Sequence, residues 1–228
     1  MKIIFDITIM VFLIPVFLFF FPIIYLLIII SDGYPAIYVQ ERVGKNGKIF
    51  KLFKFRTMDE SSDEDLHEEH YKKLADKETI EPSLEPGNPI RIENDDRITK
   101  IGLFLRKTSL DELPNVINVL KGEMSTVGPR PLVVYESKLL GDYQKKRHSV
   151  KPGITGLAQV QGRLDLSLQE RLYWDIEYVE NTTLSLILKY FFRQLSLLYQ
   201  EKGQIRLRSS NPTFDLFKIF LFRLFIFF

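Results

Sequence analysis

The chain opens with an apolar run in which residues 7–30 carry no charged side chain. A helix of about 20 apolar residues crosses a hydrocarbon core of about 30 Å, so this run is long enough to anchor the chain in a membrane. Pro15 and Pro22 lie inside it, and each removes a helical hydrogen bond and clashes with the preceding turn. A kinked helix would span the bilayer, whereas a helix broken at Pro22 would re-enter the leaflet it came from. We expect the re-entrant form over residues 1–33.

Two strand-like segments follow, residues 37–40 and 49–55, on either side of the sequence Gly-Lys-Asn-Gly at 44–47. Asn-Gly favours positive φ at both central positions of a type I′ turn, so the pattern predicts a β-hairpin. Basic residues next to a membrane segment are typical of the cytoplasmic side, near anionic headgroups. The hairpin carries six of them: Arg42, Lys45, Lys48, Lys51, Lys54 and Arg56.

Residues 59–70 hold seven acids and no Lys or Arg. We interpret them as a solvated, helical part of an acidic insertion at 59–90, one that is repelled by the membrane. His67 and His70 are three residues apart and could share a helical face. We favour a surface face over a metal site for this pair.

The C-terminal third has helical patterning, first over residues 164–179 and then over 183–199. The second stretch is dominated by Leu, Ile and Phe with charges only at Lys189 and Arg193, which favours an amphipathic helix lying in the membrane interface. Residues 201–228 form a Phe-rich tail to which the sequence assigns no role.

These patterns predict an α+β fold that is mostly helical. We expect a membrane helix, a small β-hairpin and a helical catalytic core within one cytosolic-face domain at residues 34–200. A length of 228 residues fits one domain with appendages. The net charge of +2 gives no reason to expect a nucleic-acid partner. The absence of cysteine excludes disulfides, Cys-ligated zinc, iron–sulfur clusters and thiol nucleophiles.

The sequence Asp111-Glu112-Leu113-Pro114 carries the first candidate chemistry. Proline is tolerated in the first turn of a helix, where its missing N–H costs nothing, so we predict a helix that begins near Asp111 and runs to Leu120. Acids at a helix start have an ordinary explanation, because they cap free N–H groups and suit the positive end of the dipole.

Cationic side chains flank this pair. Arg106 and Lys107 precede it, and Arg130 follows between two prolines. A helix N-terminus with guanidinium groups nearby is suited to bind phosphate. Two carboxylates among cations can hold a divalent ion, which phosphoanhydride chemistry commonly requires. Near a membrane, this combination suggests phosphoryl transfer to a lipid.

Several motifs, in order, resemble the bacterial sugar transferase family, the small monotopic phosphoglycosyl transferases. The resemblance covers roughly residues 1–200. It departs from the family at Phe21, where relatives often have Ser before the helix proline, and in the acidic insertion and the Phe-rich tail. The motifs are Lys54-Phe-Arg-Thr-Met58, Ser109-Leu-Asp-Glu-Leu-Pro114, Gly128-Pro-Arg-Pro131 and Lys151-Pro-Gly-Ile-Thr-Gly-Leu-Ala-Gln-Val-Gln-Gly-Arg163.

The resemblance implies that Asp111 attacks the β-phosphorus of a UDP-sugar and releases UMP, and that polyprenyl (undecaprenyl) phosphate then accepts the sugar phosphate. Glu112 would help to hold Mg²⁺ with Asp111 or assist the second attack, and the sequence leaves both roles open. Arg106 and Arg130 would counter phosphoryl charge. Arg163 would contact nucleotide or sugar, although a surface ion pair explains it equally well.

The family also implies a place on the cytoplasmic face of the bacterial inner membrane, with membrane lipid around the helix and downstream glycosyltransferases as partners. Three alternatives stay open at this point. One is a membrane-spanning transferase with the same core, and another is an inactive membrane scaffold. The third is a glycosyltransferase that cleaves the C1–O bond and therefore releases UDP.

Overall fold

The computed structural model describes residues 2–59, 65–75, 80–84, 87–90, 95–162 and 165–193. These residues form the mostly helical α+β fold that the sequence predicts, with five short strands among the helices. The helices are α1 (Lys2–Asp32), α2 (Asp65–Ala75), α3 (Lys100–Thr108), α4 (Asn115–Leu120), α5 (Val134–Lys138), α6 (Tyr143–Arg147), α7 (Leu157–Gln161), α8 (Leu168–Asn181) and α9 (184–193). The strands are β1 (Ile37–Val43), β2 (Ile49–Phe55), β3 (Ser125–Val127), β4 (Leu132–Val133) and β5 (Gly153–Thr155).

Helix α1 is continuous through Pro15 and Pro22, so the interruption predicted at Pro22 is not present as a break in the helix. One side of the helix is buried against the rest of the protein along most of its length, through Met10, Val16, Phe20, Ile24 and Ile28. The last four of them are spaced four residues apart, which keeps them on one face of a helix. This lateral packing supports the backbone on both sides of Pro22, where one helical hydrogen bond is missing. By length and composition α1 is the one described helix that could cross a membrane.

The predicted hairpin is confirmed. Strands β1 and β2 pair antiparallel from Ile37–Phe55 to Val43–Ile49, and both Asn46 and Gly47 have positive φ, at 56° and 75°. The remaining strands were not predicted. Strand β4 pairs antiparallel with the free edge of β1, and β3 pairs parallel with β5 in a separate two-stranded sheet.

Two apolar clusters join α1 to β2, α3 and α4. The first half of α1 packs through Met10 onto Phe50 and Leu52 of β2 and onto Val116 of α4. Its second half, from Val16 to Ile28, packs with Phe55, Leu105 and Leu113. The turn that carries Asp111 and Glu112 is therefore held between α1 and the hairpin.

Helix α8 confirms the first of the two C-terminal helical patterns. It begins at Leu168 because the Ser167 hydroxyl accepts from the Glu170 N–H, while the Glu170 carboxylate accepts from the Ser167 N–H. Helix α9 covers the described part of the second pattern. Its buried Ile187 and Tyr190 face the core, while Leu184, Leu188 and Phe192 are exposed. Residues 194–228, including the Phe-rich tail, lie outside the described part of the chain.

The acidic insertion contains the expected helix, α2, but this helix is not fully solvated. Tyr71 is buried, its hydroxyl accepts from Arg171 at 3.0 Å, and its ring meets that of Tyr135 edge-on. Within the described residues no group of three or more His, Cys, Asp or Glu could hold a metal. His70 is half-buried on this helix, and the side chain of His67 lies outside the described residues.

Candidate active site

The carboxylates of Asp111 and Glu112 lie on a 3-10 turn, Leu110–Glu112, between α3 and α4. Helix α3 ends at Thr108. The next residue, Ser109, has a left-handed backbone (φ 56°) that turns the chain. Helix α4 starts only at Asn115, after Pro114. The prediction of a helix beginning near Asp111 is therefore wrong by four residues, because Pro114 serves as the residue before the helix instead of lying in its first turn.

Glu112 is held by two cations. Lys54 Nζ and Arg130 Nη1 both donate to Glu112 Oε1, at 2.8 Å and 2.9 Å. Burial opposes ionisation of this carboxyl, but the charges of Lys54 and Arg130 outweigh it and lower the pKa of Glu112. Glu112 is thus a fixed anion that holds Lys54 of β2 and Arg130 close to each other.

Asp111 is in the opposite situation. Among the described residues none donates a hydrogen bond to its carboxylate or pairs with it, so it does not act as a helix cap. Burial, together with the neighbouring Glu112 charge, raises the pKa of Asp111, while Lys54, Arg130 and Arg106 oppose the rise. The result is a partly buried carboxylate that is surrounded by positive charge and has no hydrogen-bond partner among the described residues.

Arg106 approaches the same turn from the last turn of α3. Its Nε donates to Thr57 Oγ1 at 2.8 Å, which anchors the guanidinium to the segment that follows β2. Among the carboxylates around Arg106, Asp111 has the largest stabilising effect on its charge, ahead of Asp95. The structure therefore brings Asp111, Glu112, Arg106 and Arg130 together, as the sequence predicts. Arg163, the fifth predicted site residue, lies outside the described residues.

Arg130 is fixed by the backbone around it. The Gly128 N–H donates to Thr155 O at 2.8 Å, and the Gly153 N–H donates to Pro129 O at 2.9 Å. The segment that follows β3 therefore crosses β5 in direct backbone contact. A Cβ on Gly128 would lie 2.5 Å from the Lys151 carbonyl, which explains why both crossing motifs contain glycine. The stiff Gly-Pro-Arg-Pro segment then points the Arg130 side chain at Glu112.

Lys54 is the site residue that the sequence reasoning assigned elsewhere. The sequence predicts that Lys54 lies near lipid headgroups with the other basic residues of the hairpin. In the structure its side chain is only 14% exposed and contacts Glu112. Arg56 is also buried, and it donates to the carbonyls of Asp32 and Gly33 at the end of α1. A signal was present, because both residues stand in the motif Lys54–Met58 that the resemblance used.

The family model of bacterial sugar transferases matches residues 1–201. The chain belongs to the bacterial sugar transferase family. It is 44% identical to undecaprenyl-phosphate galactose phosphotransferase of Salmonella typhimurium over 75% of this chain and 35% of that protein. It is 40% identical to the exopolysaccharide production protein ExoY of Rhizobium meliloti over 80% of this chain and 78% of that protein.

A third relative of this sugar transferase is UDP-glucose:undecaprenyl-phosphate glucose-1-phosphate transferase of Klebsiella pneumoniae, 39% identical over 69% of this chain and 31% of that protein. The chain thus spans about a third of the length of its Salmonella and Klebsiella relatives.

The carboxylate oxygens at this site suit Mg²⁺, which is bound partly by water and substrate. They suit less well a metal ion that needs a full set of protein ligands. Mg²⁺ keeps several waters and takes one or two carboxylates together with substrate phosphates. Asp111 has no protein partner in the described part of the chain, and the two cations bind only Oε1 of Glu112. Asp111 and the second oxygen of Glu112 are therefore the oxygens that would hold the ion beside a bound diphosphate.

Proposed function

We propose that this chain transfers a sugar 1-phosphate from a UDP-sugar to polyprenyl (undecaprenyl) phosphate, through a covalent intermediate on Asp111 and with release of UMP. The observation that carries the proposal is the contrast within the pair: Glu112 is held by Lys54 and Arg130, while Asp111 has no described partner. The names of the Salmonella and Klebsiella relatives, which refer to undecaprenyl phosphate, support the choice of acceptor.

In the first step a carboxylate oxygen of Asp111 attacks the β-phosphorus. The bond from that phosphorus to the bridging oxygen breaks, and its electron pair leaves with UMP. Asp111 then carries the sugar phosphate as an acyl phosphate, a reactive anhydride that keeps the phosphoryl group transferable. In the second step a phosphate oxygen of the lipid attacks the same phosphorus and restores the Asp111 carboxylate, which gives a polyprenyl diphosphate sugar.

The cations around the turn act on the charge of the phosphoryl oxygens. Arg106 and Arg130 stabilise it from two sides, which is the main demand of phosphoryl transfer. Glu112 keeps Arg130 and Lys54 in place, so that both face Asp111 before substrate binds. Bound Mg²⁺ would neutralise the diphosphate and stabilise the leaving UMP, with Asp111 and Glu112 as its protein ligands.

We also propose that both ends of α1 lie at the same face of the membrane. Both of its ends contact the same domain: Lys2 Nζ donates to the Tyr178 hydroxyl at 2.9 Å, and Arg56 donates to Gly33 O at 2.7 Å. A helix of this length extends about 46 Å at a rise of 1.5 Å per residue, so a span would separate those ends by a whole bilayer. UDP-sugars and the phosphate of the carrier meet at the cytoplasmic surface, which puts the domain there.

The released nucleotide tests the function. Purified protein in lipid nanodiscs, given a panel of UDP-sugars, undecaprenyl phosphate and Mg²⁺, should release UMP, and Asp111→Asn should abolish it. Incubation with UDP-sugar alone should add the mass of a sugar phosphate to the wild-type chain and not to the variant. Release of UDP would instead identify cleavage of the C1–O bond, and turnover by Asp111→Asn would remove Asp111 from the mechanism.

A further inference from the structure

Asp6 is the one charged residue of α1 between Lys2 and Asp32. Its carboxylate does not face lipid. Oδ1 accepts from the Ser125 hydroxyl at 2.9 Å, from the Thr126 N–H at 2.9 Å and from the Thr126 hydroxyl, and Oδ2 accepts from Ser125 at 2.8 Å. Ionisable groups in membrane helices are costly unless they are paired, so this contact is a built feature of the helix.

The partner of Asp6 is the strand that leads to the active site. Ser125 and Thr126 begin β3, both are buried, and Arg130 follows four residues after Thr126. The intervening backbone cannot move independently, because the Gly128 N–H and the Pro129 carbonyl are hydrogen-bonded to the β5 segment and the close contact at Gly128 leaves no room for a Cβ. A displacement of β3 therefore displaces Arg130.

A second link reaches the same strand from the helix. Lys2 Nζ donates to the Tyr178 hydroxyl at 2.9 Å, and that hydroxyl donates to Val127 O, also at 2.9 Å. The first two turns of the membrane helix are thus hydrogen-bonded to all three residues of β3, directly or through Tyr178.

We propose that Asp6 is a positioning residue for the transfer reaction: it seats the membrane helix on β3 and thereby sets Arg130 against Glu112. The proposal rests on the proposed function. It makes the position of Arg130 depend on the docking of the first two turns of α1, whereas the turn at Asp111 packs against the second half of the helix, from Val16 to Ile28.

The test compares Asp6→Asn in two backgrounds, using the full chain in nanodiscs of phosphatidylethanolamine and phosphatidylglycerol. In the wild-type background kcat for UMP release should fall roughly 10- to 100-fold, the scale expected when a phosphate-binding group is misplaced by about 1 Å. In an Arg130→Lys background the same change should cost less than about 2-fold, because residues that act through one group are not additive.

Thr8→Val is the matched control. Thr8 lies on the same helix, is exposed, and its hydroxyl donates only to Ile4 O within the helix. It should keep wild-type kcat in both backgrounds. An equal loss from Asp6→Asn in the two backgrounds, or no loss in the wild-type background, would overturn the proposal. If Asp6→Asn does not accumulate, Thr126→Val removes one donor to Asp6 without altering the helix and should show the same dependence on Arg130.

Tryptophan fluorescence measures whether α1 is docked on the domain, and it does so independently of the transfer reaction. Trp174 is the only tryptophan, and it packs in the same apolar cluster as Phe5 and Tyr178. Asp6→Asn should shift its emission to the red and Thr8→Val should not. If the wild-type chain releases no UMP from any UDP-sugar, the proposed function fails and the positioning role fails with it. A red shift would then still identify Asp6 as the contact that seats the helix.

Discussion

At the scale of single residues, two cations share one oxygen of Glu112, and this explains why neighbouring carboxylates behave differently. The charges of Lys54 and Arg130 lower the pKa of Glu112 despite its burial. Asp111 receives the same field without a hydrogen bond, and burial dominates, so its pKa is raised. A carboxylate without a bonded partner keeps its lone pairs available for attack on phosphorus.

Lys54→Met should reduce kcat for UMP release by roughly 100-fold, the typical cost of removing one donor from a preorganised site. The reason is that Glu112 loses one of its two cationic partners. The carboxylate that holds Arg130 is then itself less firmly held. Lys51→Met is the control, since Lys51 is an exposed lysine on the same strand. The rates of the two variants, measured with saturating substrates, check this. Equal rates would mean that Lys54 belongs to the lipid-facing basic group after all.

His148 gives a prediction for pH. Its burial, together with the adjacent Arg147 charge, lowers the pKa of His148 to about 4. A histidine with a pKa below its unfolded value of about 6.5 stabilises the folded state fully above that pH. This stabilisation is lost as the pH falls from about 6.5 towards 4, because only the unfolded chain takes up the proton.

The variant His148→Gln should therefore show a smaller fall in Tm between pH 7 and pH 4.5 than the wild-type chain. Thermal unfolding in detergent, followed by Trp174 emission, would measure both curves. Parallel curves would mean that His148 does not contribute to the acid sensitivity of the fold.

The sequence predicts Asp111, Glu112, Arg106 and Arg130 as site residues because they stand in or beside short motifs with punctuating prolines and glycines, and the structure places the four close together. It misassigned Lys54, since a lysine in a basic hairpin has the same local pattern whether it faces lipid or a carboxylate. The partner that decides its role is 58 residues away in the chain. Local patterning carries no information about a contact of that range.

At the scale of elements, the crossing of β3 and β5 depends on glycines for close approach. Gly128→Ala places a Cβ 2.5 Å from the Lys151 carbonyl, and backbone on both sides prevents a small adjustment. Overpacking of this kind costs about 1–3 kcal/mol or more. We expect the free energy of unfolding to fall by at least about 3 kcal/mol, together with loss of UMP release because Arg130 is displaced.

Gly141→Ala is the comparison for this prediction. Gly141 has φ +51° with no atom within 4 Å of its Cβ position, so an alanine there meets only backbone strain. That strain costs about 1–2 kcal/mol. Denaturant unfolding in detergent would rank the two variants, and a Gly141→Ala loss equal to that of Gly128→Ala would contradict the steric account of the crossing.

The elements that sequence reasoning found are those with a local signature. The β1–β2 hairpin has an Asn-Gly turn, and α8 has a Ser167–Glu170 capping box. Strands β3, β4 and β5 have only two or three residues each, and their partners are distant, so neither alternation nor a turn signal reveals them. The predicted break at Pro22 failed for a related reason, since packing of α1 against the domain is not visible in the helix sequence.

At the scale of the whole molecule, the contacts at both ends of α1 make a prediction about topology. The chain has no cysteine, so Ile3→Cys would give a single, exposed thiol near the N-terminus. We expect an impermeant maleimide to label it in inverted inner-membrane vesicles and not in intact spheroplasts. Lys48→Cys, an exposed site on the hairpin, is the control and should give the same pattern. Labelling of Ile3→Cys in spheroplasts alone would indicate a membrane-spanning helix.

The pairing of Asp6 with Ser125 also has a consequence in time. The two residues are 119 positions apart. At a synthesis rate of about 5–20 residues per second, Ser125 is made roughly 6–24 seconds after Asp6. Tyr178, the partner of Lys2, follows later still. The apolar helix is therefore synthesised several seconds before the strand against which it packs, and the rate of translation sets that interval.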